Sequence, residues 1–333
     1  MLLLLFNHSS LLEAKTLQLH YWLKDESHSM DAFVHNKCDT EFLGVINEIA
    51  TIIGVEISIE TQPLEDGGLI RWFKFELNEK SKKDAIILAI VIAIITGVIT
   101  TPVTTVLSEV IKEIIERVFE DPEIKKLEKE KLKLEIENLK KDLQLKNLEI
   151  SENNKIKKRR SNFYEKAENY QKIEKISFAI ADEQNQIIIK EHTIERYQFQ
   201  NFIILSDDLN SIENENAIIE IISPVLKKGP FKWTGIYNGE SIEFRMKSNE
   251  FKTLVQTGKV EFKNGSSIDC FLEIRRKIDT EGNEKIVGYD VHRVNKYFDN
   301  DKPIETPEGK FHRKKKEADK SQLSLYDEYD DEK

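Results

Sequence analysis

Hydrophobic and polar residues alternate with different periods in successive parts of the chain. Up to residue 83, a helical pattern ends at Gly54, a typical C-terminal cap, and two alternating runs, VEISIE and LIRWFKFEL, predict a β-hairpin. Residues 84–108 form one apolar run, and residues 109–173 carry the spacing of amphipathic helices. This order predicts a small α+β domain over residues 1–83, then a membrane segment, then amphipathic and coiled-coil helices over residues 109–173. A long coiled-coil-like helix is expected from Glu123 to about Ile173, a stretch without glycine or proline.

The C-terminal part has the pattern of a β-rich domain. Residues 174–298 contain short alternating runs separated by turn residues such as Tyr237-Asn238-Gly239. Strands at this spacing predict a barrel or a sandwich. Residues 299–333 hold few apolar anchors and blocks of each charge, so they are predicted to be disordered. The predicted fold class is therefore α+β.

The apolar run has the length and composition of a membrane span. No residue from 85 to 108 carries a formal charge, although 33% of the whole chain is charged. A helix of this length spans about 36 Å, and a hydrocarbon core measures about 30 Å. Pro102 should kink such a helix. The sequence is therefore compatible with two topologies, a single crossing and a re-entrant hairpin. The competing interpretation is the buried core helix of a soluble domain.

The second half of this run is rich in hydroxyl groups. On a helical projection the hydroxyls fall on one half of the circumference, at Thr96, Thr100, Thr101, Thr104, Thr105 and Ser108. We predict that they line a pore, with Gly97 and Pro102 as its gate or hinge. A dry interface between helices, with the threonine hydroxyls bonded to carbonyls one turn back, explains the pattern equally well.

The helical region after the run carries two leucine and isoleucine stripes. One stripe holds Leu132, Ile136, Leu139, Leu143 and Ile150, and the other holds Ile124, Leu127, Leu134, Leu145 and Leu148. Two apolar seams suit a helix with neighbours on both sides. A homo-oligomer of three or more copies is therefore predicted, and a solvated single helix is the alternative.

A basic and aromatic cluster follows on the same helical region. It consists of Lys155, Lys157, Lys158, Arg159, Arg160, Phe163 and Tyr164. Cations that pair with phosphates, next to rings that stack on bases, are the chemistry of single-stranded nucleic-acid binding. A solvated helical face is the structural alternative.

Composition excludes several other classes of protein. Cys38 and Cys270 are the two cysteines, so no disulfide framework exists and a reducing compartment is indicated. The start MLLLLFNHSS is too short and lacks the basic flank of a secretory signal. No P-loop, GxGxxG, HExxH or GxSxG motif is present, and His28, His35 and Cys38 lack a fourth ligand at zinc-like spacing. We therefore expect no enzyme activity, no cofactor and no metal site.

The C-terminal domain resembles one that recurs in uncharacterised bacterial proteins, several of which carry a membrane segment. The matching residues are a Lys-Trp strand at Lys232-Trp233, the Tyr237 to Gly239 turn, Glu250-Phe251 and a closing strand at Tyr289. With the short membrane run and the long helix, the chain resembles the membrane effectors of bacterial anti-phage operons, in particular the ion channels of the Hailong type. The resemblance implies an oligomeric channel controlled by short DNA oligomers from a partner nucleotidyltransferase.

These patterns together predict an oligomeric effector of the bacterial inner membrane, a ligand-gated channel or pore in anti-phage defence. Its C-terminal domain is expected in the cytosol, where it senses an oligonucleotide-type signal. Lys80, Lys82 and Lys83 favour a cytosolic N-terminal side, but basic residues also follow the span, so topology stays open. The alternative function is a membrane-anchored, non-conducting scaffold or receptor that recruits a partner through its β-rich domain.

Overall fold

The computed structural model of the chain contains two compact units. The first comprises residues 1–206 and 280–283, and the second comprises residues 207–279 and 284–333. The structure describes residues 11–25, 29–61, 69–77, 82–127, 133–227, 229–299 and 302–330. Of the residues named above, His28, Lys80 and Leu132 lie outside these ranges.

The first unit is built on a five-stranded antiparallel sheet. Its strands are β1 Thr16–Leu23, β2 Ile57–Thr61, β3 Leu69–Leu77, β4 Ile173–Ala181 and β5 Ile187–Glu195. The strand order is β2-β3-β1-β4-β5, and the predicted β2–β3 pairing is present. Because β1 pairs with both β3 and β4, strands from either side of the apolar run share one sheet. Residues 1–83 are therefore not a separate domain, and the predicted boundary at residue 173 falls inside this unit.

Among the described residues, six α-helices belong to the same unit. They are α1 Ala32–Ile53, α2 Lys82–Thr100, α3 Leu107–Glu120, α4 Pro122–Leu127, α5 Lys133–Glu152 and α6 Asn154–Asn169, and a 3-10 helix follows at Arg196–Phe202. Gly54 caps α1 in the left-handed conformation (φ 77°), as its sequence position predicts. Phe42 of α1 and Phe163 of α6 pack on Phe73 and Phe178 of the sheet.

The apolar run forms α2, and α2 is buried. The stretch Lys83–Thr100 has a mean hydropathy of 2.2, is long and apolar enough to cross a membrane, and is 83% buried inside the folded chain. Every residue from Leu88 to Thr100 is buried, in contact with α1, α3, β3 and β4. A helix that is hydrophobic on all sides is stable either in lipid or in a protein core. In this fold, the protein core surrounds α2.

The helix is shorter than the apolar run, which changes two predictions. It ends at Thr100, and residues 101–106 form a turn before α3 begins. Pro102 therefore lies beyond the helix rather than as a kink within it, since a residue before proline disfavours the helical conformation. Thr104 and Thr105 lie in the turn and Ser108 in α3, so the six hydroxyls do not share one helix face.

The helical region after α3 is also divided, at Asn153. The Asn153 side chain accepts a hydrogen bond from the backbone N–H of Ile156 (3.0 Å) and so caps α6, which ends α5 one residue earlier. A single long coiled-coil helix through residue 173 is therefore wrong. The two stripes of α5 behave differently: Ile136, Leu143 and Ile150 are buried, whereas Leu134, Leu145 and Leu148 are 71%, 78% and 65% exposed.

The second unit is a closed β-barrel. Its strands are β6 Asp208–Ser223, β7 Trp233–Tyr237, β8 Glu240–Met246, β9 Ser267–Ile278 and β10 Glu284–Asp299, with β11 Lys302–Glu305 beside β10. The order β10-β8-β7-β6-β9 closes through β9–β10 pairing, β8 and β10 run parallel, and helix α7 Asn249–Gln256 lies between β8 and β9. This is the strand arrangement of the OB fold. Of the two predicted forms, the barrel is the observed one.

The predicted disordered tail contains regular structure. Residues 302–305 form β11, and Pro307–Asp330 forms helix α8. The Glu308 carboxylate accepts hydrogen bonds from the Ser248 hydroxyl (2.7 Å) and the Val294 N–H (2.8 Å). These contacts anchor the start of α8 on the barrel, and local composition gave no sign of them.

Both cysteine side chains are inaccessible in this fold. Cys38 and Cys270 are fully buried free thiols, and burial raises the pKa of Cys38 to about 12 and raises the pKa of Cys270 as well. The thiolate is the reactive form, so a raised pKa leaves both groups protonated at pH 8. Maleimide labelling of the native protein followed by mass spectrometry should therefore find neither cysteine modified, whereas unfolding in guanidinium should expose both. Rapid labelling of either native thiol would contradict this packing.

Candidate anion-binding site

The predicted basic cluster lies on α6, but most of its cations have carboxylate partners. Lys155 pairs with Glu48 (3.4 Å), Lys157 with Glu152 (2.8 Å) and Arg159 with Glu41 (3.3 Å). Lys158 is half-buried on the same helix. The cluster is therefore not a free basic stripe, and its cations hold α6 to neighbouring helices.

The two aromatic residues of the cluster are core residues. Phe163 and Tyr164 are 0% exposed. Phe163 contacts the sheet, and the Tyr164 ring stacks on Phe202 at a centroid distance of 4.3 Å. Rings enclosed in this way have no free face for a base, so the prediction that they stack on nucleic acid is wrong. The sequence of α6 did not reveal this burial, because cations beside aromatic residues also occur on a helix that buries one apolar face.

Arg160 is buried at the C-terminal end of α2. It is 4% exposed, and its Nη1 donates to the carbonyls of Val98 (3.1 Å) and Thr101 (2.8 Å). The Tyr164 hydroxyl donates to the neighbouring Ile99 carbonyl (2.9 Å). Carbonyls at a helix C-terminus lack intrahelical partners, so these two side chains satisfy that end of α2. Burial lowers the pKa of Arg160 to about 10, which leaves it charged at neutral pH.

Three threonine hydroxyls within α2 or directly after it are bonded to carbonyls of that helix. Thr96 donates to the Ile92 carbonyl (2.9 Å), Thr100 to the Thr96 carbonyl (2.7 Å) and Thr101 to the Gly97 carbonyl (2.6 Å). All three threonines are buried. They follow the back-bonding alternative rather than the pore lining in this fold.

Gly97, predicted as a gate or hinge, is a packing position. A Cβ atom at Gly97 would lie 2.3 Å from Cδ1 of Ile114 on α3. The absence of a side chain therefore allows α2 and α3 to approach closely, as small residues do between helices.

A cavity of about 370 Å³ lies beside the end of α2. Its lining consists of residues 103–108, Ser151, Glu152, Lys157, Arg160 and Ile204. The predicted hydroxyl set and the predicted basic cluster, which lie far apart in the sequence, thus meet here through Thr104, Thr105, Ser108, Lys157 and Arg160. The sequence gave no signal for Ser151 or Ile204, because neither lies in a charged or hydroxyl-rich pattern.

The groups that line the cavity are suited to binding an anion. Helix α3 begins at Leu107, and within the described residues no side chain caps its N-terminus at Val106. Free N–H groups and the helix dipole make such an end attractive to anions. The Nε of Arg160 has no hydrogen-bond partner in the described part of the chain, although the side chain is buried. Glu152 also lines the cavity, and in this form it engages Lys157.

The arrangement can bind a phosphate group. Hydroxyl donors, a helix N-terminus and two cations match the requirements of a tetrahedral oxyanion, and Lys157 can leave Glu152 for a ligand phosphate. No protein family, curated protein or solved structure matches this chain. The functional argument therefore rests on this geometry.

A second groove lies on the barrel. About 300 Å³ in volume, it is lined by Val225, Lys227, Gly229, Phe231, Trp233, Met246, Asn249, Lys252, Thr253 and Gln256. Trp233 is buried, whereas Phe231 is 59% exposed. An exposed ring that lines the same groove as Lys227 and Lys252 is a combination that fits single-stranded nucleic acid. OB barrels bind such ligands through the loop between their first two strands.

Proposed function

We propose that the chain is an oligomeric bacterial membrane effector, a ligand-gated channel or pore of anti-phage defence, and that the described fold is its closed form. In this form α2 is sheltered in the first unit. A signal then releases it to the lipid of the inner membrane. The observation that carries the proposal is the cavity at the end of α2, where buried Arg160 connects an anion site with the carbonyls of that helix.

The coupling between ligand and helix runs through Arg160. Its guanidinium bonds Val98 and Thr101 with one nitrogen while Nε is unpartnered among the described residues. A phosphate in the cavity attracts the guanidinium, because a charge-assisted bond to a phosphate is stronger than one to a neutral carbonyl. Any such movement weakens the cap on α2. Ligand occupancy and release of α2 are thereby linked.

The proposed ligand is a short single-stranded oligonucleotide. Its phosphates suit the cavity in the first unit. The barrel groove, with two lysines and Phe231, is a separate surface of suitable chemistry for such a strand. A nucleotidyltransferase is the class of partner that would make such a ligand. This assignment extends the resemblance to effectors controlled by DNA oligomers.

The proposed oligomer uses the second stripe of α5. Leu134, Leu145 and Leu148 lie on one face of the helix and are largely exposed. Ile136, Leu143 and Ile150 of the first stripe are buried. Exposed leucines at this spacing are typical of a helix that meets a second copy. Assembly of three or more copies brings their α2 helices to one place, as a pore requires.

Vesicle leakage tests the proposal directly. The full chain is added to vesicles of phosphatidylethanolamine and phosphatidylglycerol that are loaded with a self-quenched dye, with and without a single-stranded thymidine oligomer. We expect the oligomer to change the leakage rate by about tenfold or more, Lys157→Gln to weaken that response, and Arg159→Gln, outside the cavity, to keep it. Vesicles that stay tight both with and without the oligomer would refute the channel.

The second candidate is a non-conducting scaffold or receptor that keeps α2 in its core, unlike the membrane-anchored one predicted from the sequence, and the burial of α2 favours it. If α2 is a permanent core helix, the barrel groove alone recruits the partner. This function predicts that the protein remains in the aqueous fraction after alkaline extraction of membranes with the oligomer present. Recovery in the membrane pellet would exclude it.

A further inference from the structure

Three metal-ligating side chains meet on the barrel, away from its core. Glu273 of β9 lies directly opposite Asp290 of β10, and His292 is two residues further along β10. One ligand atom from each residue lies within 4.8 Å of the other two. The buried neighbours Leu272 and Val291 point into the barrel. The three side chains therefore share the opposite face of the two strands.

A bulge lies at His292, beside this cluster. The register between β9 and β10 shifts between Val291 and Arg293, so the extra residue on β10 is His292. Its Nε2 lies 2.6 Å from Oε2 of Glu273. Bulges re-orient single side chains and are frequent next to functional sites. Without the bulge, regular alternation would change the direction of the residues that follow.

Asp290 supplies an unused oxygen. It is 5% exposed, and its Oδ2 lies 3.0 Å from Nε of Arg275, whereas Oδ1 has no hydrogen-bond partner within the described ranges. A buried carboxylate oxygen without a partner is costly. A metal ion is one way to satisfy it, with Arg275 holding the other oxygen as an outer-shell group does.

Gly288 makes room for this arrangement. A Cβ atom there would lie 2.3 Å from Nη2 of Arg275. The glycine thus lets the guanidinium lie across β10 and reach Asp290. The ion pair places the guanidinium beside Oδ2 of Asp290, which leaves Oδ1 for a ligand.

We propose that Glu273, Asp290 and His292 bind one Zn²⁺ ion, with water as the fourth ligand. On binding, the Nε2 lone pair of neutral His292 and an oxygen of ionised Glu273 contact the ion in place of their present contact with each other, and the ring proton of His292 is carried on Nδ1. An imidazole with two carboxylates suits Zn²⁺, whereas Mg²⁺ and Ca²⁺ prefer oxygen ligands alone. The side chains of His292 and Glu273 are 40% and 25% exposed, so the open position faces solvent.

Titration calorimetry of the EDTA-treated full chain with zinc chloride tests this site. We expect one Zn²⁺ per chain, and a loss of affinity of about tenfold or more in His292→Ala and in Glu273→Gln. His312→Ala, on α8 of the same unit, is the matched control and should bind as the wild type does. Unchanged affinity in His292→Ala, or no binding by the wild type, would overturn the site.

A readout on the unaltered protein guards against misfolded variants. Cobalt added to the wild type should give the intense visible absorption of tetrahedral Co²⁺, and zinc should abolish it. Glu273→Gln, which keeps the size of the side chain, should melt at the wild-type temperature without metal and fail to give this spectrum. A weak octahedral spectrum in the wild type would contradict the ligand set.

Discussion

Replacement of Arg160 by methionine should lower the free energy of unfolding of the first unit by about 3 kcal/mol, because two carbonyls of α2 lose their donor in a buried place. Methionine fills much of the volume but donates no hydrogen bond. Val98 and Thr101 would then have unsatisfied carbonyl oxygens at the helix end. Urea unfolding followed by the fluorescence of Trp22 and Trp72 measures the change.

The control for this variant is its neighbour on α6. Arg159→Met removes an ion pair with Glu41 at a partly exposed site and should cost about 1 kcal/mol or less. Equal costs for the two variants would show that Arg160 does not cap α2. A second readout separates stability from binding: pyrophosphate should raise the melting temperature of the wild type and of Arg159→Met, and it should not raise that of Arg160→Met.

Gly97→Leu should have opposite effects on the two states of α2. In the folded unit the new side chain meets Ile114, because even a Cβ atom would lie 2.3 Å from its Cδ1. Overpacking of this kind costs about 1–3 kcal/mol, which exceeds the gain of about 1 kcal/mol in helix propensity. In lipid the same change only adds apolar surface. We therefore expect the variant to be less stable in water and to float with vesicles more than the wild type.

A compensating substitution makes this test specific. Ile114→Ala removes the atoms that the leucine would meet, so the double variant should regain stability relative to Gly97→Leu and return to the aqueous fraction. A stabilising effect of Gly97→Leu alone would show that α2 and α3 do not pack as described. If Gly97→Leu floats with vesicles but is as stable as the wild type, membrane binding does not depend on the packing of α2 against α3.

Sequence patterns located the elements of this protein well where the signal was local. The Gly54 cap, the β2–β3 hairpin and the turn at Asn238 and Gly239, both with positive φ, depend on residues close together in the chain. The division at Asn153 and the anchored start of α8 were missed, because a competing cap and a tertiary contact decided them.

The candidate site shows the same division between local and long-range information. The sequence singled out Thr104, Ser108, Lys157 and Arg160 as residues with chemistry, but it assigned them to a pore face and to a nucleic-acid surface. Only folding brings α6 to the end of α2 and closes one cavity around both groups. Phe163 shows the converse: a ring beside cations in the sequence became a core residue, since its partners Phe42 and Phe178 come from distant elements.

By itself the sequence determined that one long helix must be removed from water, because a run of apolar residues cannot be solvated at an acceptable free energy. It also determined the alternation that gives the C-terminal barrel. The tertiary structure decided what covers the helix, how its carbonyls are satisfied and which strands share a sheet. Those outcomes depend on contacts between residues far apart in the chain, and composition and periodicity carry no information about such pairs.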